Sequence, residues 1–176
     1  MNITVYLGAS KGADPALTAA VRELGTWIGI TGNTLIYGGS KMGLMGELAV
    51  SAMEAGAEVI GVEPQMFMDD ELQLDGLSEL IVTPDMPSRK TRMIEMGDAF
   101  IAFPGGTGTL EEITEVMSQV SLGLKDARCI FYNLNHYYDD LKKFLAHMIE
   151  MGLSTEERQR NVFFAESLAD IEELLV

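Results

Sequence analysis

The feature that most constrains this chain is a regular alternation of short β-rich apolar runs with helix-forming stretches. The apolar runs are "ITVYLG", "TLIYGG", "EVIGV", "ELIVTP", "DAFIAFPGG", "RCIFYN" and a last short "VFFAE". Helix signals stand between them. Asp14-Pro15 offers an N-cap with proline at the first helical position, and Gly56 ends the helix that starts near Gly43. Ser154 and Ser167 each precede an acid three residues later. Strand and helix in alternation mean βαβ units and a parallel sheet. The expected fold class is therefore α/β: a doubly wound, Rossmann-like parallel sheet with helices on both faces. The stretch 137–151 carries Leu141, Phe144, Leu145 and Met148 at core spacing for a helix. No repeat, low-complexity tract or linker interrupts the pattern, so residues 1–176 are expected to form one domain.

Composition narrows the function classes. With 47% hydrophobic residues in 176, the chain is long enough to bury a substantial core. "MNITVYLGASKG" has no basic region followed by a long apolar segment, and no later run approaches about 18 uninterrupted apolar residues. A cytoplasmic protein without membrane association is expected. Cys129, the only cysteine, lies in the apolar run "RCIFY", which excludes a disulfide framework and reads as a buried strand thiol. A formal charge of −15 argues against general affinity for nucleic acid or anionic membrane, because phosphate polyanions are held by clustered Lys and Arg. Any bound phosphate needs a local exception, and "RKTR", Arg89 to Arg92, is the one basic cluster. By itself that cluster reads as a solvated helix face. His136 and His147 are too few and too poorly placed for a metal site, so neither metal nor cofactor is expected.

Topology converts these elements into a site. Right-handed crossovers bring each strand's carboxyl end and the following helix's amino end to one edge of the sheet, where ligands of open α/β folds bind. Four loops are expected to meet there: "GASKG" (8–12) with Gly8 and Ser10, "YGGSKMGLMG" (37–46) with Gly38 and Gly39, "MPSRKTRM" (86–93) with Met86 and Arg89, and "PGGTGT" (104–109). Gly38 and Gly39 serve either a tight turn or direct ligand contact. Met42 and Met45 read as packing residues.

Two familiar phosphate motifs fail. From Gly38 the Walker A spacing reaches Gly43, but Leu44 stands where lysine is required. A G-x-G-x-x-G starting at Gly106 continues to Gly108 and meets Glu111 where the third glycine belongs. What remains is bare amides at a helix N-terminus, with the Thr107 and Thr109 hydroxyls beside them, able to receive a phosphate.

"PGGTGTLEE" matches the P-G-G-x-G-T-x-x-E motif of the LOG (Lonely Guy) family, long labelled "possible lysine decarboxylase", and "RKTRM" matches its R-K-x-x-M element. "YGGSKMGLMG" is similar to the family's Y-G-G-G-x-x-G-L-M-G, and the strand alternation extends the resemblance over nearly the whole chain. Ser40 stands where the family usually has glycine, and Ala9 where the first loop often has serine. Characterised members are cytokinin-activating phosphoribohydrolases, which cut the N-glycosidic bond of N6-substituted adenosine 5′-monophosphates, and relatives act on AMP-like nucleotides. The resemblance implies a nucleotide-binding domain in which Arg89 and Glu112 are the catalytic pair. It places Lys90, Gly105, Gly106, Gly108 and Thr109 around phosphate and ribose. It also implies a homodimer or an assembly of dimers. Nothing in the sequence supports a decarboxylase, since no lysine has the setting of a pyridoxal-phosphate site.

The two halves of "PGGTGTLEE" suit a nucleoside monophosphate, which has an anionic end that wants amides and a glycosidic carbon that becomes oxocarbenium-like as the base departs. Glu115, one turn beyond Glu112 on the same face, would assist from behind it. Three other readings stand beside this one. Thr109-Leu-Glu-Glu112 is also a capping box, in which Glu112 turns back to the Thr109 amide. The chain could instead be a non-catalytic carrier of a nucleotide or of molybdenum cofactor, as some relatives of the family are, or an assembly-dependent nucleotide sensor.

Overall fold

A computed structural model of the chain describes residues 1–70 and 72–175. Its strands are β1 (Asn2–Tyr6), β2 (Thr34–Tyr37), β3 (Val59–Pro64), β4 (Glu79–Thr83), β5 (Ala99–Ala102), β6 (Arg128–Tyr132) and β7 (Val162–Ala165). The helices are α1 (Pro15–Ile30), α2 (Gly43–Glu54), α3 (Met86–Met96), α4 (Thr107–Ser121), α5 (Asp139–Glu150), α6 (Glu156–Gln159) and α7 (Leu168–Leu175). All strand pairs are parallel, in the order β4-β3-β2-β1-β5-β6-β7.

The period of two along each strand sorts the core into two layers. Ile3, Val5 and Leu7 face Val21, Leu24 and Ile28 of α1 and Leu44 and Leu48 of α2. Tyr6, Phe100 and Phe131 belong to the opposite layer, with Met93 and Ile94 of α3 and Ile113 and Val116 of α4. Strands buried on both faces read as the near-continuous apolar runs seen in the sequence. Cys129 is fully enclosed in β6, and burial pushes its thiol up to about 12.

Helix ends follow the local chemistry. Asp14 Oδ1 accepts from the Ala16 amide at 2.9 Å with Pro15 opening α1. Ser167 and Asp170 cap reciprocally: each side chain accepts from the other's amide, at 3.2 and 3.0 Å. Two expectations are corrected. Thr155, rather than Ser154, caps α6 by accepting from the Arg158 amide, because Ser154 still belongs to the turn that closes α5. On α5 only Leu145 is buried, while Phe144 points outward.

Candidate active site

The chain leaves β1 toward β2 on one side and meets β5 on the other, so the strand order reverses at β1. At that seam the loops following the carboxyl ends of neighbouring strands part, and a crevice opens. It holds a cavity of about 450 Å³ lined by Gly8, Gly38, Met86, Arg89, Gly106, Thr107, Gly108, Thr109 and Glu112, and by Leu7, Ala9, Ser40, Met45, Glu63, Phe67 and Leu72.

Arg89 enters from the first turn of α3, a helix fixed by Asp85, whose Oδ1 accepts from the Ser88 amide at 2.8 Å. The arginine is only 6% exposed. Its Nε donates to the Val62 carbonyl at 2.8 Å and its Nη1 to Glu112 Oε1. The planar fork of the guanidinium lets one side chain satisfy both acceptors. Gly38 makes room for it, since a β-carbon there would stand 2.5 Å from Arg89 Nη2. The expected solvated face therefore holds for the exposed Arg92 but not for Arg89, which is drawn under α4 by the buried carboxylate.

Glu112 lies in the second turn of α4 and is 7% exposed. Burial raises its carboxyl above the ordinary glutamate range, and Arg89 pulls it only part of the way back. The capping-box reading is overturned. Helix α4 starts at Thr107 with Gly106 as its N-cap, so Thr109 is already inside the helix and Glu112 turns to Arg89.

Among the described residues no side chain caps α4. Its first amides lack intrahelical partners, and Gly106, Thr107, Gly108 and Thr109 all line the cavity. An anion there meets N–H groups and the positive end of the helix dipole. The loop is held from beneath: Tyr138 Oη donates to the Phe103 carbonyl at 2.9 Å and Tyr137 Oη to the Gly105 carbonyl at 2.6 Å. Gly105 has no room for a side chain, because a β-carbon would stand 2.8 Å from Thr109 Cβ.

The remaining expected residues lie around this cavity rather than in its wall. Lys90 Nζ reaches Glu111 Oε1 at 2.6 Å and Glu115 Oε2 at 3.0 Å, which clasps α3 to α4 on their outer flank. Glu111 and then Glu115 raise the Lys90 pKa. Ser10 and Gly105 line a neighbouring cavity of about 530 Å³ that shares Gly8 and Gly106 with the first. Gly39, at φ +86°, backs onto the side chain of Glu63. Met42 is exposed rather than packed, whereas Met45 reaches the cavity. Both histidines are exposed, and among the described residues no group of three or more His, Cys, Asp or Glu side chains is arranged to hold a metal.

Sequence reasoning missed Glu63, Phe67 and Leu72, which also line the cavity. One signal was there to read: a lone acid closing the apolar run "EVIGVEP".

Fold and site together define an open, Rossmann-like α/β protein with an uncapped helix end beside a buried arginine–glutamate pair at its switch point. The family model described as "Possible lysine decarboxylase" matches residues 45–175, and the chain belongs to this family, the one also known as LOG. The chain is 38% identical over 168 residues to the cytokinin riboside 5'-monophosphate phosphoribohydrolase of Rhodococcoides fascians, covering 95% of this chain and 85% of that protein. It is 34% identical over 169 residues to the cytokinin riboside 5'-monophosphate phosphoribohydrolase LOG of Oryza sativa subsp. japonica, covering 96% and 70%. Among solved structures, the molybdenum cofactor binding protein of Rippkaea orientalis superposes with a TM-score of 0.70 at 23% identity, covering 99% of this chain and 94% of that one. That likeness is one of fold. Among the described residues no helix is long and apolar enough to cross a membrane.

Proposed function

We propose that this protein is a nucleoside 5'-monophosphate phosphoribohydrolase, which cleaves the N-glycosidic bond of AMP-like or N6-substituted adenosine monophosphates to free base and ribose 5-phosphate. The names of its relatives support the reaction class. The observation that carries the reading onto this chain is the juxtaposition, in one cavity, of the α4 amides with the buried pair Arg89–Glu112.

In this reading the phosphate seats on the amides of Gly106 to Thr109, and Gly8 and Gly38 let the backbone come close. The ribose then lies over Glu112. As the bond from C1′ to the base nitrogen lengthens, positive charge grows on the sugar and negative charge on the base. The Glu112 carboxylate stabilises the first and orients the water whose oxygen forms the new bond to C1′; Arg89 holds that carboxylate and faces the second. The departing base takes up a proton, and the attacking water loses one. Binding energy from the phosphate is used at the glycosidic carbon, which requires that the reactants be held in register.

The test is incubation with AMP and with N6-isopentenyladenosine monophosphate, followed by chromatography for free base and ribose 5-phosphate. Release of neither base would overturn the reading. A carrier of a nucleotide or of molybdenum cofactor is the competing reading. It leaves unexplained why an acid is buried beside the sugar position at a cost in solvation. We further place the protein in the cytoplasm as a homodimer or an assembly of dimers. Leu122 and Leu124, 65% and 73% exposed at the end of α4, offer apolar surface for such a contact.

A further inference from the structure

Glu63 sits near the carboxyl end of β3, between Val62 and Pro64, and its side chain is in the wall of the cavity. The residue is 2% exposed. Among the described residues nothing hydrogen bonds its Oε2, and no lysine or arginine lies within ion-pair distance of it. A carboxyl buried without a partner is costly, and buried polar groups left unsatisfied by a fold call for an explanation. Beside Glu63 lie the Gly39 backbone, where a β-carbon would stand 3.3 Å from Oε2, and the Leu80 side chain; the Arg89 charge acts on Glu63 from a distance, and Glu63 acts on the buried Tyr37 phenol, whose Oη also lacks a hydrogen-bond partner among the described residues. An apolar residue would serve the strand better.

The position along the cavity supplies the explanation. The α4 amides, the Arg89–Glu112 pair and Glu63 all line one cavity. Arg89 donates to the carbonyl of Val62, the residue just before Glu63, so the glutamate lies immediately beyond the arginine on the side away from α4. The same cavity is lined by the apolar side chains of Met45, Phe67, Leu72 and Met86, with Ser40 already engaged as acceptor for the Met42 amide. Apolar walls with a single polar group suit a flat heteroaromatic ring that carries one edge to be read.

We infer that Glu63 selects the base: its carboxyl takes a hydrogen bond from the exocyclic N–H at the 6-position of a purine, so that 6-amino and singly N6-substituted purines are preferred to a purine bearing only hydrogen there. This rests on the hydrolase reading above. A site built to hydrogen-bond a donor discriminates against the analogue that lacks it, because the buried acceptor is then left unpaired.

The experiment compares AMP with purine riboside 5′-monophosphate, which lacks the amino group, in the wild type, Glu63→Gln and Glu63→Met. The intrinsic reactivities of the two glycosidic bonds cancel when each variant's ratio of kcat/KM is set against the wild type's. The Met variant, similar in length but with no comparable acceptor, is expected to lose about 10- to 100-fold of the preference for AMP, the scale of a hydrogen bond to a charged or buried group. The loss should appear as a raised KM for AMP, with the purine analogue nearly unaffected. The Gln variant keeps an acceptor oxygen and most of the preference. An unchanged ratio in the Met variant overturns the inference while leaving the hydrolase reading intact. If the wild type releases base from neither nucleotide, the hydrolase reading falls, and Glu63 is judged by ligand-induced shifts in melting temperature. A larger shift with AMP that Glu63→Met abolishes supports the assignment, and equal shifts in the wild type overturn it. Should Glu63→Met not fold, Glu63→Leu takes its place under the same criteria.

Discussion

Arg89 and Glu112 meet in a buried ion pair that joins α3 to α4, while the same guanidinium holds the carbonyl of Val62 on β3. One side chain thus ties two helices and a strand together under the cavity floor. Glu112→Gln keeps the shape and an acceptor oxygen but removes the charge. Turnover of AMP should fall by roughly 10²- to 10⁴-fold, the scale of a positioned acid or base. Because the charge on Arg89 loses its buried counterion, the variant should also lose about 1 to 3 kcal/mol, seen as a melting temperature lower by several degrees. Wild-type turnover in this variant would end the case for Glu112.

Arg89→Lys separates charge from geometry. A single ammonium on a flexible stem cannot satisfy both the Val62 carbonyl and Glu112 as the fork does. Steady-state assays should show a loss of at least about 10²-fold. Calorimetry should show destabilisation comparable to that of Glu112→Gln. A fully active Lys variant would mean that position and not planarity is what the site needs.

Two neighbouring glycines should behave oppositely. A β-carbon at Gly108 meets nothing within 4 Å, whereas one at Gly105 collides with the Thr109 side chain. Gly108→Ala is therefore expected to melt at or above the wild type, since alanine also favours the helix. Its methyl group stands among the amides assigned to phosphate, so its KM for AMP should rise, by about 10-fold for one weakened charge-assisted contact. Gly105→Ala should lower the melting temperature. A Gly108→Ala enzyme with unchanged KM would argue that phosphate seats elsewhere.

Removing the phosphate from the substrate tests the same loop from the other side. Adenosine should be cleaved with kcat/KM at least about 10²-fold below that of AMP, because remote binding energy is spent at the reacting carbon. Equal turnover of nucleoside and nucleotide would leave the α4 amides without a task.

Glu63 makes stability depend on pH with a definite sign. Burial raises its pKa above the ordinary glutamate value and Arg89 lowers it less. Between the unfolded and the folded pKa the native chain holds a proton that the unfolded chain has released, so stability falls as pH rises through that window. Below it both states are protonated, and above it both are ionised. Glu63→Gln lacks this dependence. Its melting temperature relative to the wild type should climb from about pH 4.5 upward and then level off, in scans from about pH 4 to about pH 8. A constant difference would show that burial does not hold the Glu63 proton.

The sheet was legible because strands buried on both faces leave near-continuous apolar runs, and because Asp14-Pro15 and Ser167 with Asp170 mark helix starts by chemistry that depends only on neighbours in sequence. The glycine loop and the joining of α3 to α4 could be read from topology and from the LOG resemblance. Other features could not be read locally. Whether Glu112 capped its helix or paired with Arg89 turned on where α4 begins, and a glycine N-cap carries no side chain to announce it. Phe67 and Leu72 reach the cavity wall from the short 3-10 turn Gln65–Asp70 after β3 and from the segment beyond it, which are too short to carry a periodicity that can be read. The LOG resemblance put Lys90 beside the nucleotide, but its ion pairs with Glu111 and Glu115 could not be read locally, because these partners lie more than a helix length away in sequence.

The enclosed thiol of Cys129 turns the molecule into its own unfolding gauge. With no other cysteine in the chain and a thiol pushed up to about 12 inside the central sheet, a thiol-reactive dye can label the protein only when β6 is laid bare. Dilute dye should label at a rate proportional to the equilibrium fraction opened, and saturating dye at a plateau equal to the opening rate itself. Comparing that plateau with and without AMP would then report how far an occupied crevice slows the escape of the whole sheet from its native packing, on unmodified protein and without denaturant.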